Sequence, residues 1–117
     1  MQNPCRKSSF SRSEIKFFKT SYPPCAQIGG TSCEVHEGFL QTWQSVKPRV
    51  MESASSLMRS TGASSMLITG HSLGAAVALF ASLEITPLFP GADILLYNFG
   101  EPRVGDSDFV QFAVSQL

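Results

Sequence analysis

The residues of this sequence best suited to chemistry are the five of Gly70–Gly74, which read G-H-S-L-G. A serine hydroxyl is a weak nucleophile unless the backbone presents it well and a nearby base takes its proton. A serine between two glycines, at a sharp turn from a strand into a helix, is presented well because its small neighbours give the turn room. The backbone N–H of Leu73 would then point to where an oxyanion forms. The pattern predicts a nucleophile elbow, with Ser72 as nucleophile and Leu73 as backbone oxyanion donor.

The same five residues have a purely structural interpretation. Serine often caps the start of a helix, and a close crossing of helix and strand would explain both glycines. The motif is short and the chain is rich in glycine and serine, so the pattern alone is weak. Its setting favours the nucleophile, because residues 65–69 are typical of a strand buried on both faces and residues 75–83 of a buried helix.

The elements around the motif predict an α/β fold with parallel strands and crossover helices. Apolar residues at steps of three and four indicate a helix over Phe39–Met58, with a kink or a division into two helices at Pro48. A second strand is predicted over Ile94–Phe99, and Asp106 or Ser107 is expected to cap a last helix. The apolar face of that helix consists of Phe109, Phe112 and Ala113. This order of elements places the two strands side by side and parallel.

Composition and charge describe one globular domain. The chain has 117 residues, of which 43% are hydrophobic and 15% charged, and its nine basic and nine acidic residues balance to zero. Balanced charge predicts no nucleic-acid partner. No apolar run reaches the roughly 20 residues of a membrane span, and the N-terminus lacks the apolar stretch of a signal peptide. We expect an irregular basic segment at residues 1–21, with a strand or helical turn near residues 15–20, and a folded domain at residues 22–117.

The histidines and cysteines form no metal-binding pattern. His36 is followed by Glu37, but Leu40 stands where a zinc-binding helix would carry its second histidine. The sequence therefore predicts no metal. The three cysteines cannot all pair with one another, and Cys25 and Cys33 are close enough for a small-loop disulfide. Prolines and glycines between residues 22 and 33 predict a loop there.

Three short segments match one known pattern in the same order. They are V-H-E-G-F at residues 35–39, L-I-T-G-H-S-L-G-A at residues 67–75, and Y-N-F-G-E-P-R-V-G-D at residues 97–106. Together they resemble the class 3 (fungal-type) lipases. The third segment is the most specific, since that family carries F-G-x-P-R-V-G-[ND] there. The resemblance covers residues 22–117 and implies a partial α/β-hydrolase fold.

The resemblance implies a serine esterase that hydrolyses acyl esters of lipids, of the triacylglycerol type, without a cofactor. Ser72 is then the nucleophile and the Leu73 amide one oxyanion donor, while His71 occupies a variable position. His36 is expected to brace its segment, because the base of this fold follows the serine in the order Ser…Asp…His. Lipid or another acyl ester is the implied substrate, and contact with a lipid surface is implied too. The family and the candidate disulfide favour secretion, whereas the N-terminus does not.

Parts of the family's machinery have no counterpart in the sequence. No histidine follows Ser72, and the R-G-[ST] strand end that supplies the second oxyanion donor is missing. The aspartates after Ser72 are expected in loops around the second strand, with Asp106 as a helix cap; they are Asp93, Asp106 and Asp108. We therefore expect a truncated class 3 lipase that is inactive alone. The alternative is a catalytically dead remnant or a binding module derived from such a lipase.

Overall fold

The structure is a computed structural model, and it describes residues 18–117. The elements follow in order as β1 (Lys19–Ser21), α1 (Pro23–Gly29), β2 (Glu34–His36), α2 (Glu37–Thr61), β3 (Ser65–His71), α3 (Leu73–Ile85), a 3-10 turn (Thr86–Leu88), β4 (Asp93–Phe99) and α4 (Ser107–Gln116). Strand β1 pairs antiparallel with β2, and β3 pairs parallel with β4. The predicted α/β class and the parallel pairing of the two long strands are confirmed.

Helix α3 is the crossover between the two parallel strands. Parallel strands cannot be joined by a tight turn, and α3 packs against both β3 and β4. Its sequence is apolar almost all round and rich in alanine, which favours a helix and lets it lie close to the sheet. Nine of its residues are buried, so this helix is the centre of the core.

Strand β3 is not buried on both faces, so the prediction for residues 65–69 is wrong within the part of the chain that the structure describes, and β4 is open on the same side. Residues alternate along each strand, and Met66, Ile68, Ile94 and Leu96 pack on the core. On the other side, exposure of the large side chains runs from 49% to 62%; this open face consists of Leu67, Leu95, Tyr97 and Phe99. A parallel sheet buries both faces only where helices cover both, and here residues 18–117 cover one.

Helix α2 runs without interruption from Glu37 to Thr61, so the expected division into two helices at Pro48 is not found. The proline removes one backbone hydrogen bond. Leu40 and Trp43 are buried before it, and the partly buried Val50, Met51 and Ala54 pack on the same core after it. Packing on both sides of the proline therefore keeps the helix in one piece.

A disulfide joins Cys25 in α1 to Cys33, the residue before β2, with an S–S distance of 2.03 Å and a Cα–Cα distance of 5.9 Å. The pairing that the sequence left open is thus present, but the segment between residues 22 and 33 is not simply a loop. Two prolines open α1, where their missing N–H groups cost no helical hydrogen bond. Next to the disulfide, Tyr22 packs its ring against Phe80 and Phe109, with centroids 5.1 and 5.7 Å away.

Strand β1 lies within the range 1–21 that was expected to be irregular. Its three residues pair with His36, Val35 and Glu34, so Lys19–Ser21 belong to the folded part. This strand overlaps the strand or turn that was predicted near residues 15–20. Residues 1–17 lie outside the described part of the chain, and the expectation for them stays a prediction.

Candidate active site

Ser72 lies between the last residue of β3 and the first residue of α3. Its φ is 55° and its ψ is −121°, which makes it the single non-glycine residue with positive φ among residues 18–117. A non-glycine residue in such a conformation costs on the order of 1–3 kcal/mol. Its side chain is exposed and makes no capping hydrogen bond to α3. An N-cap serine has extended backbone angles and accepts an amide hydrogen bond, so the geometry is that of an elbow.

Backbone hydrogen bonds hold this strained turn from both sides. The Ser72 N–H donates to the carbonyl of Phe99 at the end of β4, at 3.0 Å. The Ser72 carbonyl accepts from the N–H groups of Ala75 at 2.9 Å and Ala76 at 3.3 Å. The surrounding structure therefore fixes the serine backbone rather than leaving it to relax.

The two glycines of the motif differ in whether the structure has room for a side chain in their place. A Cβ at Gly70 would collide with the Gly74 carbonyl and lie 2.8 Å from the Ala75 nitrogen. A Cβ at Gly74 would meet no described heavy atom within 4 Å. The expectation that both glycines give the turn its room thus holds for Gly70, whereas nothing in residues 18–117 requires the absence of a side chain at Gly74.

Leu73 is the first residue of α3, and its side chain is 46% exposed. The N–H groups of the first helical turn have no carbonyl partner within the helix. The aligned peptide dipoles add partial positive charge at that end. The Leu73 amide therefore lies at the partially positive end of α3, and its role as an oxyanion donor stays a prediction.

The two histidines lie in different settings. His36 is 6% exposed, its Nδ1 accepts from the Phe39 N–H at 3.2 Å, and its ring stacks on the Phe39 ring with centroids 3.9 Å apart. It caps and braces the start of α2, as predicted. His71 is exposed at the end of β3, beside Phe99 of β4 in the register.

The aspartates after Ser72 were all expected in loops, which is wrong for Asp93 in β4 and Asp108 in α4. Asp106 caps α4, as predicted, accepting from the Phe109 N–H at 2.9 Å through Oδ1 and from the Glu34 N–H at 3.2 Å through Oδ2. Asp108 is exposed in the first turn of α4. Asp93 begins β4, whereas the elbow contacts its end, and a seven-residue strand is about 20 Å long.

Sequence reasoning missed a polar cluster in the core. One carboxylate oxygen of Glu84 accepts from the Tyr22 hydroxyl at 2.8 Å and from the Trp43 Nε1 at 3.0 Å, and its other oxygen pairs with Lys47 Nζ at 2.6 Å. Burial, together with the charge of Glu84, raises the pKa of Tyr22 well above its ordinary range. The available signal was that Glu84 is the single charged residue of α3. The cluster ties α2 and α3 to Tyr22 and stabilises the scaffold of the elbow.

Residues 18–117 contain no group of three or more His, Cys, Asp or Glu side chains placed to hold a metal ion. Nor does this part of the chain include a helix whose length and apolar character would suffice to cross a membrane.

A strained serine between a parallel strand and a buried crossover helix defines an α/β-hydrolase-type fold. The particular family follows from comparison with known proteins. Residues 5–117 match the family described as Lipase (class 3), and the chain belongs to it. The matched range begins before residue 22, where the folded domain was expected to start.

Relatives and solved structures agree with this assignment. The chain is 33% identical over 105 residues to a lipase of Rhizomucor miehei, covering 87% of this chain and 28% of the relative. It has the same identity over 105 residues to the secreted mono- and diacylglycerol lipase 1 of Fusarium solani, covering 90% and 30%. The solved Rhizomucor miehei triacylglyceride lipase matches with a TM-score of 0.75 and 32% identity, over 86% of this chain and 37% of that one. The chain thus spans about a third of the length of the proteins it matches.

Proposed function

We propose that residues 22–117 form the nucleophile-bearing part of a class 3 lipase that hydrolyses acyl esters of glycerolipids. The observation that carries the proposal is the backbone of Ser72, held at φ 55° between β3 and α3. A backbone strained at one exposed serine, and fixed there by three hydrogen bonds, is expected where a hydroxyl must be presented to a substrate. The names of the relatives, which include a mono- and diacylglycerol lipase and a triacylglyceride lipase, support a glycerolipid substrate.

In the proposed reaction the Ser72 Oγ attacks the ester carbonyl carbon, and the hydroxyl proton passes to a histidine base. The carbonyl oxygen becomes an oxyanion, which accepts a hydrogen bond from the Leu73 N–H. The tetrahedral intermediate collapses, the alcohol leaves with the proton from the histidine, and Ser72 carries the acyl group as an ester. Water then repeats the sequence and releases the fatty acid. No cofactor takes part.

The described residues supply one half of this machinery. In this proposal Ser72 is the nucleophile and the Leu73 amide is one oxyanion donor, but no histidine follows Ser72 in the sequence. His36 uses its Nδ1 to cap α2 and is buried, which suits a structural role. The base, its acidic partner and the second oxyanion donor therefore come from outside residues 1–117 in this proposal. Contact with a lipid surface belongs to the same proposal.

The second candidate is a catalytically dead remnant, or a binding module, that keeps the scaffold around Ser72. Its support is the absence of any histidine after Ser72 in this sequence. For either candidate, the Cys25–Cys33 disulfide and the secreted relative from Fusarium solani support an oxidising, secretory location.

A chimera tests the proposed nucleophile directly. Residues 18–117 replace the matching segment of the Rhizomucor miehei lipase, which supplies the rest of the domain, and hydrolysis of tributyrin is measured. We expect activity that Ser72→Ala lowers at least about a thousandfold, because a hydrolase without its nucleophile keeps only binding and oxyanion contributions. Ser65→Ala, at the exposed start of the same strand, is the matched control and should leave the rate unchanged. A folded chimera that is inactive supports the dead remnant instead, and one that is equally active with Ser72→Ala shows that Ser72 is not the nucleophile.

A further inference from the structure

Gly70 and Asn98 face each other in the register of β3 and β4, directly below the start of α3. Gly70 has no side chain there, which lets the first turn of α3 lie against the strand. At the same level Asn98 extends its amide to that turn, and its Nδ2 donates to the Ala75 carbonyl at 2.8 Å. Thus β3 leaves space for the first turn of α3 at Gly70, and β4 binds that turn through Asn98.

The Asn98 amide also reaches the loop after β4. Its Nδ2 donates a second hydrogen bond to Glu101 Oε1, at 2.7 Å. Both partners are acceptors, so the orientation of the amide is fixed with the NH₂ group towards them. The next residue of the strand, Phe99, accepts from the Ser72 N–H. Two successive residues of β4 therefore hold the elbow on its two sides, one at Ser72 and one at Ala75.

The carbonyl oxygen of the Asn98 side chain, unlike its NH₂ group, has no hydrogen-bond partner among the described residues. Its Oδ1 is buried and accepts no hydrogen bond from any described residue. A buried unpaired acceptor is unfavourable, and an apolar residue of the same shape would avoid it and suit a strand better. Overall stability therefore does not explain an asparagine at this position, whereas its two donated hydrogen bonds do.

We infer that Asn98 is a positioning residue for the nucleophile elbow. It links the first turn of α3 to Glu101 and thereby maintains the strained backbone of Ser72 and the direction of the Leu73 amide. This inference rests on the proposed role of Ser72 and adds to it a residue that touches neither substrate nor the reacting atoms.

Hydrogen exchange in the 117-residue chain, followed by mass spectrometry of peptides, tests the inference. Asn98→Leu should speed exchange of the hydrogen-bonded amides of Ser72, Ala75 and Ala76 about five- to tenfold, as expected for loss of the hydrogen bond to the Ala75 carbonyl. Exchange in residues 79–85 of the same helix should stay unchanged, and the urea midpoint should stay equal or rise. Tyr97→Leu, on the same strand but on the open face, is the matched control and should leave the elbow unaffected.

Variants of Glu101 remove one of the two hydrogen bonds that Asn98 donates, and they test the inference even if Asn98→Leu fails to fold. Glu101→Ala changes only an exposed loop side chain and should give a smaller increase at residues 72–76, whereas Glu101→Gln keeps the acceptor and should restore protection. The carbon chemical shifts of Ser72, which report its positive φ, should move with Asn98→Leu alone. Equal loss of protection along all of α3, or none at the elbow, would overturn the inference. Because no turnover is measured, that result is distinct from an inactive chimera, which bears on the proposed function.

Discussion

The phenol of Tyr22 donates a 2.8 Å hydrogen bond to a carboxylate oxygen of Glu84, 62 positions later in the chain. The same oxygen accepts from the Trp43 indole N–H. Tyr22 and Trp43 are 2% and 0% exposed, so neither donor has water as an alternative partner. The carboxylate thereby joins the segment that precedes the disulfide loop to the two longest helices.

Removal of this carboxylate should destabilise the fold strongly. Glu84→Ala leaves two buried donors without an acceptor, and we expect a loss of about 2–5 kcal/mol in the free energy of unfolding. Glu84→Gln keeps one acceptor oxygen and should lose less. Glu52→Ala, an exposed glutamate of α2, is the matched control with an expected change within about 0.5 kcal/mol. Urea unfolding measures all three, and equal stability of Glu84→Ala and the control would contradict the structure.

The raised pKa of Tyr22 predicts a loss of stability in alkali. The folded state keeps the phenol protonated at pH values where the unfolded chain releases the proton, near pH 10. The stabilisation from Tyr22 is therefore complete below about pH 10 and declines above it, where unfolding releases a proton. Urea midpoints between pH 8 and 11 should fall more steeply for the native chain than for Tyr22→Phe, which has no phenol to titrate. Parallel pH profiles would show that Tyr22 ionises normally in the folded state.

The two glycines of the elbow should respond differently to the same change. Gly70→Ala places a methyl group on the Gly74 carbonyl and should disrupt the elbow, with a loss of at least about 2 kcal/mol. Gly74→Ala meets open space within α3 and should be neutral or stabilise by up to about 1 kcal/mol, because alanine favours a helix. Thermal unfolding of both variants compares them. Similar losses at the two positions would show that the space above Gly74 is filled.

Relief of the strained backbone should stabilise the chain. Ser72→Gly accepts the positive φ without a Cβ penalty and should raise the free energy of unfolding by about 1 kcal/mol. Ser72→Ala removes the hydroxyl but keeps the Cβ, and should leave stability nearly unchanged. Urea unfolding gives both values. A glycine variant no more stable than the alanine variant would mean that the turn stores little strain.

The 117-residue chain alone should not hydrolyse esters faster than its Ser72→Ala variant. In the proposed mechanism, a serine without a base to take its proton retains only the contribution of the Leu73 amide. The assay uses p-nitrophenyl butyrate at equal protein concentration. A rate clearly above that of the Ser72→Ala variant would identify His36 or another group of this chain as a base.

Local patterns in the sequence were sufficient to predict the strand and the helix that flank Ser72. The apolar run before Gly70 and the alanine-rich run after Ser72 predicted β3 and α3, and the cap at Asp106 followed from residue type and spacing. The pairing of β1 with β2 was not predicted, because three-residue strands show no measurable alternation. The Glu84 cluster joins residues far apart in sequence, and no local pattern encodes such contacts.

The prediction that residues 65–69 are buried on both faces was wrong for a physical reason. Strand β4 carries large apolar residues on both sides, and β3 carries Leu67 among otherwise polar outward residues. Apolar residues on both sides are typical of strands covered by helices on both faces. That pattern is a property of the sequence, whereas burial depends on what packs against the strands. Similarly, the sequence placed Ser72 at a turn but could not reveal that Asn98, 26 residues later, donates to the carbonyl three residues beyond the serine.

The open face of the sheet makes the association of chains with one another depend on their concentration. Leu67, Leu95, Tyr97 and Phe99 form an apolar strip beside two strands whose outer edges are unpaired within residues 18–117. Such a strip is attractive to any similar surface, and sulfate or phosphate salts strengthen that attraction because they are excluded from protein surfaces. Crowded or strongly salted samples therefore favour clusters, and dilute samples at low salt favour single chains.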